Sequence, residues 1–472
     1  MRAITQTKGN HMKRSRTVLL AVLAVLGLLA GACSSGSSSS SSATTTAQGA
    51  GTEFSGNTIH VPEDFPTIQG AVSSASPGDL ILVGAGIYKE AVDVETPGLT
   101  IRGLDRNATI LDGEFTRDNG VRVLGANNVT LQNMTARNYT GNGFYWTGVT
   151  GYHGSYLTAY RNGDYGIYAF DSQRGQFDHS YASGSPDAGF YIGQCFQCDA
   201  AILDVVSEYN GVGYSGTNSG GDLVIARSEF AHNRGGMVTN TSTYELCYPQ
   251  RQTTIVGNYV HDNGVASAPA TDTTSLAMGV GIAVAGGRQD LVQNNRIENH
   301  ERAGVAVVIY PDEKPKDVLP TGDALTVPCS EARQVPRADK ASLPEASYFE
   351  PLDNTVKGNV VSGSGLYDLV YGSLAAADKP QGNCFEGNTY TTSAPADIQT
   401  VMACTNPSGE FTGQINLLEA FASPTPPSGD YKTQPEPPAQ PNMPDAATAP
   451  GMPAVNVPEK VDVNAIPVPA QR

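Results

Sequence analysis

Between Gly143 and Gly236, apolar and polar positions alternate in short blocks that return at a fixed distance. The blocks are Gly143-Phe144-Tyr145-Trp146, Gly166-Ile167-Tyr168-Ala169, Gly189-Phe190-Tyr191-Ile192, Gly213-Tyr214-Ser215-Gly216 and Gly236-Met237-Val238-Thr239, with glycines 23, 23, 24 and 23 residues apart. Alternation with a period of two predicts strands, and a fixed period in this range predicts a solenoid. Each unit also carries an earlier short run ending in Asn138, Asn162, Asn210 or Asn233. A unit of about 23 residues cannot bury a face alone, whereas stacked copies with strands ~4.8 Å apart can. The pattern continues at Gly257-Asn258, Gly281, Gly304, Gly358-Asn359 and Gly387-Asn388, with loops at 265–277 and 311–352. About a dozen coils result.

Ahead of the repeats, Phe65, Ile68, Ala71, Val72 and Ala75 are spaced as on a helix, with Pro66 at its start. A short helix there would cap the open end of the core. Strands follow at 78–83, 88–94, 99–102 and 109–113. The run from Phe65 to Val94, with Leu99 to Asp105, resembles the opening of right-handed parallel β-helix proteins. That superfamily includes pectin methylesterases, pectate lyases, alginate epimerases and nitrous-oxide-reductase maturation proteins. The stretch from Asp187 to Leu223 is also similar to exported actinobacterial β-helix proteins. The resemblance implies an all-β, right-handed parallel β-helix solenoid with a short N-terminal capping helix. It implies no particular activity, because one fold hosts many.

The flanks divide the chain. Lys13, Arg14 and Arg16 precede an apolar run from Val18 to Ala30, too short to span a bilayer and suited to an export signal. The run ends in Leu29-Ala30-Gly31-Ala32-Cys33, which resembles a bacterial lipobox. Residues 1–33 are therefore expected to be a lipoprotein signal and Cys33 the lipidated residue. Residues 34–55 read as a Ser/Thr-rich tether, 56–421 as the β-helix domain and 422–472 as a Pro/Ala-rich disordered tail. The expected location is the outer face of the cytoplasmic membrane, with the membrane as a partner through the lipid and the chain a monomer.

Composition narrows the partners. A net charge of −17 argues against nucleic acid. It also gives no help toward an acidic polysaccharide unless a basic patch exists locally. With Cys33 lipidated, Cys195, Cys198, Cys247, Cys329, Cys384 and Cys404 remain, an even number that predicts disulfides in an exported chain. Cys384 and Cys404 are expected to pair, and Cys247 is placed to staple either Cys195/Cys198 or Cys329. Cys195-x-x-Cys198 has no second CxxC or His pair beside it, so a metal or redox site is the weaker reading.

The position after the core-facing residue holds Tyr145, Tyr168 and Tyr191, a ladder of aromatic rings that suits stacking on sugars. Gln194 and Asn218 belong to a polar row beside it. The competing reading is that the rings only stabilise neighbouring strands. Loops bearing Cys195–Cys198, Cys247 and Cys329 should emerge from one edge and wall a groove. Catalytic candidates near that edge are Asp171, Arg174, Asp178, His179, Asp187, Glu208, Glu245 and Arg251, with Asp171, Arg174, Asp178 and His179 in front. A lyase or epimerase needs a base and a cation for the substrate carboxylate. No metal ligand set or cofactor motif is legible, and a Ca²⁺ site would draw carboxylates from different coils. The leading expectation is a cell-envelope protein that binds or processes a polysaccharide, by lyase or epimerase chemistry if catalytic. A non-catalytic surface scaffold or adhesion module is the alternative.

Overall fold

The computed structural model describes residues 56–471 except 243–244, 314–328, 330–345, 375–379, 412 and 416–423. The export signal, Cys33 and the tether lie outside the described residues. The chain folds as a parallel β-helix with three faces. Among the described residues the first sheet has 12 strands, the second 10 and the third 11. One coil runs Val129–Gln132 on the first face, Thr135–Arg137 on the second and Phe144–Thr147 on the third. The next coil adds Thr150–Ser155, Thr158–Tyr160 and Tyr165–Phe170 in parallel register. A helix at Ile68–Ser74 caps the first coil, with Ile68, Ala71 and Val72 buried. The Thr67 side chain accepts from the Gly70 N–H.

The period has a steric cause. A Cβ on Gly143 would lie 2.7 Å from the Gly166 carbonyl oxygen, and one on Gly213 would lie 2.7 Å from that of Gly236. Each glycine lets the next coil stack at sheet spacing. Phe144, Ile167, Phe190, Tyr214 and Met237 follow these glycines and are fully buried, as the alternation predicts. The asparagines form a second column. Asn210 N–H donates to Asn233 Oδ1 and Asn233 N–H to Asn263 Oδ1, both at 2.9 Å. Such side chains satisfy corner backbone groups that the ladders cannot reach.

The cysteines pair as Cys195–Cys198, Cys247–Cys329 and Cys384–Cys404. Cys247 therefore staples Cys329, while Cys195 and Cys198 close on each other, which leaves no dithiol for a metal. Cys329 N–H also donates to the Phe196 carbonyl at 3.3 Å, so the three cysteine-bearing segments meet at one edge.

The tail departs from expectation. Residues 424–471 lie extended against the solenoid. One limb descends from Arg234, which donates to the Pro426 carbonyl, to Arg106, which donates to that of Pro441 at 3.1 Å. The second limb returns along the first face. Arg102 donates to the carbonyls of Ala449 and Pro450 at 2.6 and 2.8 Å, and Arg296 to that of Pro469 at 2.8 Å. A proline-rich chain lacks N–H donors and holds an extended form with free carbonyls. Arginine forks on the solenoid supply the missing donors. Ile466 adds an apolar anchor, with Val461 and Val463, against Ala201, Leu203, Ala226 and Val256.

Candidate functional site

The outward row of the third face runs, in strand register, Asp93, Arg122, Tyr145, Tyr168, Tyr191, Ser215, Val238, Ala283, Ala306 and Val370. The tyrosine rings stack, with centroids 4.9 Å apart for Tyr145 and Tyr168 and 4.6 Å for Tyr168 and Tyr191. At Ser215 the row steps from large rings to small side chains. That step, continued to Val370, leaves a cavity of about 470 Å³ over the third face. Its walls include Thr271, Thr274, Leu276 and Ala277 from the 265–279 insertion, Ile309 to Pro311, and Arg302. A mostly apolar, concave floor with a few polar groups is the usual form of a ligand site.

Three carboxyl groups gather at the head of this cavity, where it meets the tyrosines. They belong to Asp164, Asp187 and Glu245. Burial pushes the Glu245 carboxyl up, Asp187 adds to the rise against the Tyr191 hydrogen bond, and the group reaches about 8. Burial and then the neighbouring Asp164 raise Asp187 to about 7, and burial raises Asp164 to about 6. Glu245 therefore keeps its proton near neutral pH and can donate as well as accept hydrogen bonds, while Asp187 titrates there. The Tyr165 ring sits 4.5 Å from that of Tyr168 and 4.9 Å from that of Tyr191, and burial holds its hydroxyl well above the ordinary range.

The ladder is less open than the alternation predicts. Tyr145 and Tyr168 are half-buried, but Tyr191 is 1% exposed because the 241–250 segment lies over it. Tyr191 donates to Glu245 Oε1 of that segment. Gln194 and Asn218 are occupied by the same segment. Gln194 Oε1 accepts from Leu246 N–H at 2.9 Å, and Asn218 Nδ2 donates to the carbonyls of Ser242 and Glu245 at 2.6 and 2.9 Å. Both amides thereby help to position the loop.

Asp171, Arg174, Asp178 and His179 do not line the cavity. The chain turns a corner at Asp171, φ 52°, and the strand Gln173–Asp178 belongs to the first face. Arg174 bonds Asn128 Oδ1 at 3.1 Å. At the strand's far end, Asp178 accepts from Ser155 and from Gln176 Nε2 at 2.6 Å. It also contacts His153 Nε2 at 2.7 Å and His179 Nδ1 at 3.0 Å. Burial pushes the Asp178 carboxyl up, but the His153 charge and the bonds from His153, His179 and Ser155 outweigh it. They hold the group well below the carboxylate range. Ser155 and both histidines all address the aspartate, which is the hub of the cluster. The tail crosses here as well, with Glu459 N–H donating to Gln176 Oε1 at 2.7 Å.

Sequence reasoning names Asp187 and Glu245 among its candidates and misses Asp164 and the wall residue Arg302. Asp164 and Asp187 each precede a block glycine by two residues, a recurrence visible in the repeat. Glu245 gives no local signal of its contact with Tyr191, since only folding of its loop brings the two together.

No protein-family model matches the chain, and no curated protein matches it. Among solved structures it is similar to the A-module of an Azotobacter vinelandii mannuronan C-5 epimerase, at 14% identity over 68% of this chain and 90% of that one, TM-score 0.40. A rhamnogalacturonan lyase aligns at 11% identity over 72% and 87%, TM-score 0.44. The periplasmic alginate epimerase AlgG aligns at 12% over 70% and 83%, TM-score 0.38. The likeness is one of fold, and the three parallel sheets of this chain establish that fold on their own.

Proposed function

We propose that the chain is an exported β-helix protein, anchored by a lipid on Cys33, that binds a polysaccharide in the cavity over the third face. The observation that carries the reading is the meeting of an aromatic and aliphatic floor with Asp164, Asp187 and Glu245 at one end. Sugar rings stack through their C–H faces on such a floor, and their hydroxyls pair with carboxyl and threonine groups at its rim. Carboxyls poised between about 6 and 8 also suit proton transfer near neutral pH. In lyase or epimerase chemistry Glu245 or Asp187 would exchange the proton next to a uronate carboxyl.

One observation favours a second reading, a binding scaffold without turnover. Tyr191 is sealed and its hydroxyl is committed to Glu245, which makes that pair part of the loop's anchorage. A glycan-array and polysaccharide-degradation screen separates the readings. Binding with product formation supports an enzyme, and binding alone supports the scaffold. Ala283→Tyr places a ring in the middle of the floor and should abolish either signal. Absence of any glycan ligand, or full binding by Ala283→Tyr, would remove the cavity from consideration.

A further inference from the structure

A different cluster, on the second face, has the chemistry of a metal site. His232, His261 and Asp262 come from successive coils and corner positions. One donor atom of each lies within 4.8 Å of the other two. All three are half-buried, so the cluster keeps an opening to solvent. Asp262 Oδ2 lies 2.7 Å from His261 Nδ1, and Glu229 Oε1 lies 3.3 Å from His261 Nε2. Both ring nitrogens of His261 thus face carboxylate oxygens. Both contacts are hydrogen bonds only if the imidazole carries two N–H groups, and a metal ion held at Nδ1 would take the place of one of those protons. Rings stack on both histidines: Tyr259 on His261 with centroids 4.0 Å apart, and Tyr209 on His232 at 5.4 Å.

We propose that His232, His261 Nδ1 and Asp262 bind a divalent borderline metal ion, Zn²⁺ in the first instance, with water completing the shell. Two imidazoles and one carboxylate are ligands that Zn²⁺ accepts, whereas Ca²⁺ and Mg²⁺ prefer oxygen alone. Tetrahedral Zn²⁺ with ligands at about 2.0–2.1 Å spaces its donors roughly 3.3 Å apart. The cluster brackets that value, so side-chain rotation closes it. Glu229 would hold the proton on Nε2 and leave the Nδ1 lone pair for the metal, as carboxylates behind metal-bound histidines do. Since His232 and His261 sit on adjacent coils, the ion would also staple them. None of these residues lines the third-face cavity, and the site does not depend on the polysaccharide reading.

The test is calorimetric titration of the metal-stripped full chain with Zn²⁺, repeated with Co²⁺ to read the coordination from its visible spectrum. One saturable equivalent is expected. His232→Ala and His261→Ala should lose it, together with the Co²⁺ bands. Glu229→Gln, acting as a positioning residue, should weaken it by ~10–100-fold while keeping the bands. Circular dichroism on each metal-free variant checks that it is folded. A His153→Ala/His179→Ala double variant should bind as the wild type does. No saturable uptake by the wild type would overturn the proposal. So would uptake that survives in folded His261→Ala, or uptake lost only in the double variant.

Discussion

Tyr191 donates its hydroxyl proton to Glu245, 54 residues further along the chain, and this contact closes the 241–250 loop over the last ring of the tyrosine stack. It joins two groups that are each costly to bury alone. Among the described residues the second Glu245 oxygen, Oε2, has no hydrogen-bond partner. Tyr191→Phe keeps the stacked ring and removes that bond. Leaving Glu245 without it should cost ~1–3 kcal/mol of stability. The loop should then become the first site of proteolytic cutting. Denaturant unfolding and timed proteolysis check this, and an unchanged midpoint with an unchanged cleavage pattern would show that the contact carries no weight.

The same region should make stability fall as pH rises. Glu245 at about 8, Asp187 at about 7 and Asp164 at about 6 all lie above the ordinary carboxyl range near 4. Between those limits the folded chain keeps protons that the unfolded chain releases. The stability they contribute is fully present below about pH 4 and lost as pH climbs through 6 to 8. Unfolding midpoints at about pH 5 and about pH 8.5 should differ in that direction. Glu245→Gln with Asp187→Asn should flatten the slope. An equal slope in the double variant would assign the pH dependence elsewhere.

What the sequence reveals follows from the range of the forces involved. The block glycines and the buried row Phe144, Ile167, Phe190, Tyr214 and Met237 are set by contacts one coil away, so they repeat and can be read. Asp178 lies on another face because a single corner at Asp171 redirects the next strand, and periodicity alone does not locate corners. The cavity is a step in a legible row, Tyr191 to Ser215, but its depth depends on walls from distant insertions. The tail was least legible. Its partners Arg102 and Arg106 lie 347 and 335 residues away from the carbonyls they bind, and a proline-rich composition looks the same whether free or docked.

Asp178 tests whether the first-face cluster is structural. Its carboxylate takes hydrogen bonds from Ser155, His153, His179 and Gln176. Its depressed folded value means that its stabilisation is present above the ordinary value near 4 and lost as pH falls below it. Asp178→Asn should lower stability at neutral pH by ~1–3 kcal/mol and lessen the loss in acid. It should leave glycan binding intact, because the cluster lies on a different face from the cavity. Loss of binding without loss of stability would return Asp178 to the list of functional residues.

The docked tail should behave as a strap with two kinds of fastening. Arg102 grips the turn between its limbs through the carbonyls of Ala449 and Pro450, and Ile466 seats the returning limb in an apolar pocket. Replacing Ile466 by Asp removes ~1.5–3 kcal/mol of burial from the strap, and should release the returning limb while the coils stay intact. Arg102→Ala should release the turn and leave the Ile466 end seated. Limited proteolysis with mass detection reads the two cases separately. Cutting in Ile466→Asp should begin beyond residue 459, and in Arg102→Ala between 443 and 452. The wild-type tail should resist at both places. Rapid cutting of the wild-type tail would mean that these contacts do not hold it in solution. Slow cutting in both variants would mean that the first limb, from Arg234 to Arg106, holds the strap without them.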